Sequence, residues 1–192
     1  MTKLIFSMIT SLDGYVEDAG GSFDWARPDE EVFRFANEHV ATLGTYLFGR
    51  RMYETMVFWE TAGTASDPDP ISREFGEMWR ATNKIVYSTS LATASSARTR
   101  IERVFDPAVI QDMKTSEERD IAVAGPNLAA QAFRAGLVDE CRLFVVPVAV
   151  GGGKPALPRE IRLHFELVSE HKFRSGVVFL LYRYRAAEST VL

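Results

Sequence analysis

Cysteine is almost missing from this chain: Cys141 stands alone among 192 residues. A lone cysteine excludes an internal disulfide and a thiolate metal cluster. Histidine is nearly as scarce. His39, His164 and His171 lack metal-ligand spacing, so no metal site is expected, and His39 reads as a helix-surface residue. No Ser/His/Asp or Cys/His arrangement points to a nucleophilic hydrolase. No apolar run is long enough to span a bilayer. The amino terminus enters a strand pattern at once and lacks the apolar core of a secretory signal, so the expected compartment is the cytoplasm. There is no basic run either. Against 22 Lys and Arg stand 26 Asp and Glu, a net charge of -4. That balance argues against nucleic acid and anionic membrane as partners. Without repeats, low-complexity tracts or a dividing linker, residues 1–192 read as one domain with room for a sizeable core.

What is present is an alternation of apolar runs and helical patterns. Leu4 to Thr10 reads as a buried strand, followed by a flexible loop through Gly14, Gly20 and Gly21. Pro28 opens a helix with Asp29, Glu30 and Glu31 in its first turn, which suits both proline and the helix dipole. Val32, Ala36, Val40 and Leu43 form its buried stripe, and Gly44 is a plausible stop. Thr45 to Phe48 is a second strand and Arg50 to Trp59 a helix. After the polar segment Thr61 to Pro70 come a helix (Ile71 to Ala81), a strand (Lys84 to Tyr87) and a candidate strand (Ile101 to Phe105). Pro107 to Glu117 reads as an exposed helix, Ile121 to Ala124 as a strand, and Pro126 to Ala135 as a helix capped by Gly136. Leu143 to Val150 resembles a strand buried on both faces, but Pro147 implies an edge or a bulge there. His164 to Phe173 and Val177 to Tyr184 form a hairpin signal around Ser175-Gly176. The pattern predicts a mixed, mostly parallel α/β sheet with helices on both faces and an antiparallel carboxyl-terminal hairpin.

Several strands end in turns that suit an anionic ligand. Gly125-Pro126-Asn127-Leu128 lies between a strand and a helix, where free N–H groups and the helix dipole would accept a pyrophosphate. An ordinary strand-to-helix turn is the alternative. Gly49-Arg50-Arg51 also opens a helix. Arginine forks suit phosphate oxygens, and cations are misplaced at a helix start unless something anionic binds there. Ser88-Thr89-Ser90 offers hydroxyls to a phosphate or ribose, or is a simple polar turn. Asp13 follows the first strand and would orient a polar ring or donate a proton, or else it completes an Asp-Gly turn. Trp25 and Trp59 are candidate walls for a flat ligand, or core aromatics. Gly151-Gly152-Gly153-Lys154 lacks the Ser or Thr of a P-loop and reads as a mobile turn near the rim.

Taken together, these pieces carry a resemblance. They are Ser11-Leu12-Asp13-Gly14-Tyr15, Phe48-Gly49-Arg50-Arg51-Met52-Tyr53-Glu54, Lys84 to Ser88, Val123 to Leu128, Gly136 to Glu140, and Pro147 to Gly153. In this order the chain resembles the dihydrofolate reductase-like family, and within it the reductase domain of the bifunctional riboflavin-biosynthesis deaminase-reductase. The resemblance implies a three-layer fold, a homodimer, and NADPH as hydride donor to a C=N or C=O bond of a small heterocyclic or sugar-linked substrate. It places Gly49 and the Gly125–Leu128 turn at the cofactor phosphates, and Arg50 or Arg51 with Ser88, Thr89 and Ser90 near the adenosine 2′-phosphate. It sets Ile9 to Asp13, Ser11 included, beside nicotinamide and substrate. Asp13 would then be the catalytic residue and Trp25 would close the pocket. The chain departs from the family pattern at Pro126, where a small residue is usual, and at Met52, where threonine is common. It begins at the reductase strand, without the zinc-binding deaminase signature. Those departures keep open a non-catalytic nucleotide-binding module on the same fold. An interaction subunit using the Leu143–Val150 run for dimer burial is also open.

Overall fold

A computed structural model describes residues 2–64, 66 and 69–185. Its elements are β1 (Leu4–Ser11), β2 (Tyr15–Glu17), α1 (Glu30–Val40), β3 (Leu43–Gly49), α2 (Arg50–Met56), α3 (Pro70–Ala81), β4 (Asn83–Tyr87), β5 (Thr99–Glu102), α4 (Pro107–Ser116), β6 (Asp120–Ala124), α5 (Pro126–Arg134), β7 (Glu140–Val146), β8 (Lys154–Pro155), β9 (His164–Lys172) and β10 (Val178–Arg185). In the main sheet the strands run β5-β4-β3-β6-β1-β7-β10-β9. Neighbours pair in parallel from β5 to β7, and β10 and β9 add an antiparallel edge. This is the mixed, mostly parallel sheet with helices on both faces that the alternating pattern predicts.

The inner strands are mostly apolar because both faces are covered, whereas the edge strands β5 and β9 carry polar residues. Leu4, Phe6, Leu47, Ile121 and Val123 pack with Ile110 of α4 and Leu128 and Phe133 of α5. Ile5, Tyr46, Phe48 and Ala122 pack on the other face with Phe75 and Trp79 of α3. Val32 of α1 continues that second layer over Phe144 of β7 and Phe179 of β10. Lys84 is buried at the start of β4 because its Nζ donates to the carbonyls of Trp79 (2.7 Å) and Thr82 (2.8 Å), closing the end of α3. Among the described residues no helix is long and apolar enough to cross a membrane.

Several local expectations are corrected. Pro28 lies outside α1, and Asp29 is its N-cap, accepting from the Val32 N–H at 2.9 Å. Leu43 and Gly44 belong to β3, not to the helix. A Cβ on Gly44 would sit 2.8 Å from Arg119 Cβ, so close approach, not helix termination, explains this glycine. The α-helix from Arg50 ends at Met56 and tightens into a 3-10 turn, Val57–Glu60. The candidate strand at 101–105 is β5, Thr99–Glu102. α4 is not exposed along its length, since Ile110, Met113 and Lys114 are buried. β7 starts at Glu140 and stops at Val146. Pro147 ends it, having no N–H to donate, and β7 is an internal strand between β1 and β10. His39 faces the sheet, stacked on Phe179 at 4.8 Å between centroids. The loop after β1 is tied down, because β2 pairs with β8. Within 61–70, residues 65, 67 and 68 lie outside the described residues.

Candidate functional site

Parallel strands bring their carboxyl ends to one edge of the sheet, which is where open α/β sheets bind ligands. The register makes three of these ends level. Gly49 pairs with Tyr87, and Phe48 pairs with Ala124. Ser88 and Gly125 directly follow β4 and β6, so Gly49, Ser88 and Gly125 stand at the same edge of the sheet, within one residue of level. Gly125 has φ 95, and a Cβ there would lie 3.2 Å from Met52 Cβ and 4.0 Å from the Gly49 N. The starts of α2 and α5 therefore meet across this glycine.

The helix caps divide into two kinds. Asp29, Asp69 and Asp106 cap α1, α3 and α4, each accepting a first-turn N–H with its carboxylate. Gly49 and Gly125 cap α2 and α5 with no side-chain hydrogen bond. Pro126 occupies the first position of α5, so Asn127 and Leu128 carry its free first-turn N–H groups. The Leu128 side chain is buried in the core and only its backbone is available at the rim, while Asn127 is exposed.

Two arginines follow Gly49. Arg50 donates through Nε to Glu54 at 2.7 Å and through Nη1 to Ser90 Oγ at 2.8 Å, which joins α2 to the loop after β4. Arg51 is 81% exposed and lies 3.7 Å from Glu17. Ser88 is buried, and its Oγ accepts from the Ser90 and Leu91 N–H groups. Thr89 and Ser90 are exposed. Arg103, just past β5, donates to the carbonyls of Ser88 (2.7 Å) and Leu91 (2.8 Å). Local sequence did not reveal Arg103, because its role depends on β5 lying beside β4.

Beyond β1, the Ser11 hydroxyl donates to Asp13 at 2.7 Å and accepts from the Tyr15 N–H at 2.9 Å. Asp13 also accepts from the N–H groups of Val150 (3.1 Å) and Gly151 (2.7 Å). The Ser11 hydrogen bond, ahead of an opposing desolvation, and these N–H groups hold the Asp13 carboxyl below its ordinary value. The glycine segment is thus clamped to the end of β1. Gly153 has φ 135, and a Cβ there would collide with the Glu17 carbonyl oxygen, so only glycine lets β2 and β8 approach.

Beside β1 lies a cavity of about 240 Å³. Ile9 of β1, Val32 of α1, Phe144 and Val146 of β7, and Val177 form its apolar wall, with Arg27, Asp29 and Ser175 among its polar residues. Only Ile9 of these carries a sequence-level assignment. The rest come from three separate segments that meet only in the folded chain. Trp25 is half-buried in the 3-10 turn Asp24–Ala26, directly before Ala26 and Arg27 of the cavity wall, and its buried indole N–H has no partner among the described residues. Trp59 is not brought to this cavity. It packs against Phe75 (4.7 Å) and Phe33 (6.0 Å) under α1 and α3. The fold therefore gathers Gly49, Arg50, Ser88, Ser90 and Gly125 at one place, with Ile9, Ser11 and Asp13 two strands along.

Residues 2–179 match the family described as RibD C-terminal domain. The chain is 27% identical over 192 residues to the uncharacterised protein YyaP of Bacillus subtilis (strain 168), covering 95% of each. In three dimensions it is similar to a Shewanella sp. PV-4 protein provisionally assigned to riboflavin biosynthesis, with TM-score 0.74 and 17% identity over 96% of this chain and 100% of that one. It is also similar to a pyrimidine reductase-like protein of Corynebacterium diphtheriae, with TM-score 0.68 and 14% identity over 96% and 92%. Against Acinetobacter baumannii RibD the TM-score is 0.72 at 12% identity, and 96% of this chain spans 58% of that protein. The match along residues 2–179 leads to one conclusion: this chain belongs to the RibD C-terminal domain family.

Proposed function

We propose that the protein is an NADPH-dependent reductase acting on a C=N or C=O bond of a small molecule. The observation that carries this reading is the rim where α2 and α5 begin without side-chain caps, with Arg50 and Ser90 joined at 2.8 Å beside them. A dinucleotide with an extra phosphate fits that set: two uncapped helix starts for the pyrophosphate, and a guanidinium with hydroxyls for the 2′-phosphate. Membership of a family of reductase domains supports it. NADPH, when bound, would supply a hydride to the electrophilic carbon, with a proton drawn from solvent joining the nitrogen or oxygen and NADP⁺ left. The chain's own part is to hold both reactants in line and keep water away. Asp13, held ionised, has no proton to give at neutral pH. It serves as a hydrogen-bond acceptor and as the anchor of the glycine segment beside the substrate.

The test is titration with NADPH and NADH, followed by fluorescence. NADPH should bind about tenfold tighter or better, and Arg50→Met should remove most of that preference. No binding, or equal affinity for both cofactors, would refute the assignment. A binding module without turnover is favoured by one feature: Pro126 takes one donor from the start of α5. Cofactor binding without NADPH consumption across pteridine and pyrimidine compounds would select it.

A further inference from the structure

The cavity beside β1 differs in charge from the cofactor rim. The helix that starts at its wall, α1, already has a carboxylate on its free N–H groups: Asp29 accepts from Val32 at 2.9 Å. The Val32 backbone bond and the Ser175 hydroxyl hold Asp29 below its ordinary value, so the charge is there at neutral pH. A phosphate placed in the cavity would meet that carboxylate in place of an open helix start. One cation offsets it. Arg27 lines the same cavity, is exposed, and has no side-chain hydrogen bond or ion pair among the described residues. The rest of the wall is mostly aliphatic and aromatic (Ile9, Val32, Phe144, Val146, Val177). Two exposed apolar side chains follow β1 and β7, Leu12 (68% exposed) and Val148 (37% exposed), tied by the Leu12 N–H to the Val148 carbonyl at 2.7 Å. At about 240 Å³ the cavity is smaller than the roughly 300–1,000 Å³ of sites for drug-sized ligands.

We infer that this cavity takes a small, mostly apolar carbonyl or imine compound carrying a single carboxylate, anchored by Arg27, and not a sugar phosphate. The inference rests on the reductase reading for the reducible bond. The cavity's preference for a carboxylate stands apart from that reading. A planar guanidinium pairs with one carboxylate through two parallel N–H bonds. A dianionic phosphate needs more donors than one arginine beside an aspartate provides. The apolar wall binds the body of such a compound by removing it from water.

Matched probes test this: phenylacetate, phenyl phosphate and 2-phenylacetamide, each titrated into the full chain with and without NADPH and followed by ligand-observed NMR. Phenylacetate should bind about tenfold tighter than either of the others. Arg27→Met should abolish that preference without changing NADPH affinity, and Arg27→Lys should restore part of it. Stronger binding of phenyl phosphate, a carboxylate preference that survives Arg27→Met, or no binding of any probe would overturn the inference. Carboxylate preference in a protein that does not bind NADPH would leave the cavity assignment standing and remove the reductase. NADPH binding without the preference would do the reverse.

Discussion

Asp13 shows how one side chain organises a rim. Its two oxygens take the Ser11 hydroxyl and the N–H groups of Val150 and Gly151, joining the end of β1 to a segment more than a hundred residues away in sequence. Neutralising it should free that segment without unfolding the sheet, because Asp13 itself is exposed. Asp13→Asn is expected to speed amide hydrogen exchange at Val150 and Gly151 while leaving the thermal midpoint nearly unchanged. The pH dependence has a definite sign. The folded-state pKa lies below 3.8, so the clamp is complete above that value and is lost as pH falls through the folded pKa. Protection of Gly151 that is the same in the variant and the parent would show that the clamp does not depend on the charge. In the sequence Asp13-Gly14 looks like any Asp-Gly turn. Its partners at Val150 and Gly151 have no local signature, since they reach Asp13 only after β7 has docked on β1.

The helix starts are of two kinds: α1, α3 and α4 begin on an aspartate cap, α2 and α5 on a glycine. The Asp106 carboxylate accepts the Ala108 N–H at 2.9 Å and closes α4 on the solvent side. Asp106→Ala should cost about 1 kcal/mol in urea unfolding, with NADPH affinity unchanged. A comparable loss of cofactor affinity would mean that the caps are not divided as described. Asp106-Pro107 and Asp69-Pro70 place an acid before a helix-opening proline, and Asp29 follows Pro28 by one residue. That single residue matters, since Asp29 is the cap and not part of the first turn. The apolar run 143–150 misled for a different reason. Hydrophobicity continues past Val146, but strand pairing needs N–H donors and stops where proline removes one. The missing donor is written in the sequence. Whether it bends an edge or ends an inner strand depends on which neighbours arrive.

At the scale of the whole molecule, a largely buried charge cluster contributes to acid sensitivity. Glu140 of β7 bonds Arg142 at 2.8 Å and Lys3 at 2.5 Å, with the Glu140 and Arg142 side chains only 8% and 9% exposed. Burial alone would raise the Glu140 pKa, but the bonds from Lys3 and Arg142 outweigh it and the carboxyl lies below its usual 4.5. A depressed acid contributes stability above its unfolded pKa and loses it as pH falls through the folded one. Urea stability should therefore fall as pH drops below 4.5, and Glu140→Gln should flatten that acid limb. The variant should also lose about 3–5 kcal/mol at neutral pH, because Arg142 stays buried without its anion. An unchanged acid limb in the variant would assign the effect to other carboxylates.

The alternation of apolar strands with helical stripes was enough to establish an α/β sheet covered on both faces, because burial on two sides makes the inner strands mostly apolar. The glycine turns likewise announced where backbone must approach something closely. Their convergence was a matter of strand order, since Gly49, Ser88 and Gly125 are neighbours only because β4, β3 and β6 pair in level register. Of the cavity wall, the sequence named only Ile9 as a site residue. Ile9, Arg27, Val32, Phe144 and Val177 share no spacing or motif, and they form one surface only when α1 lies across β1, β7 and β10. Local composition dictates which residues leave water. Long-range pairing dictates which of them meet, and a binding site is made of such meetings.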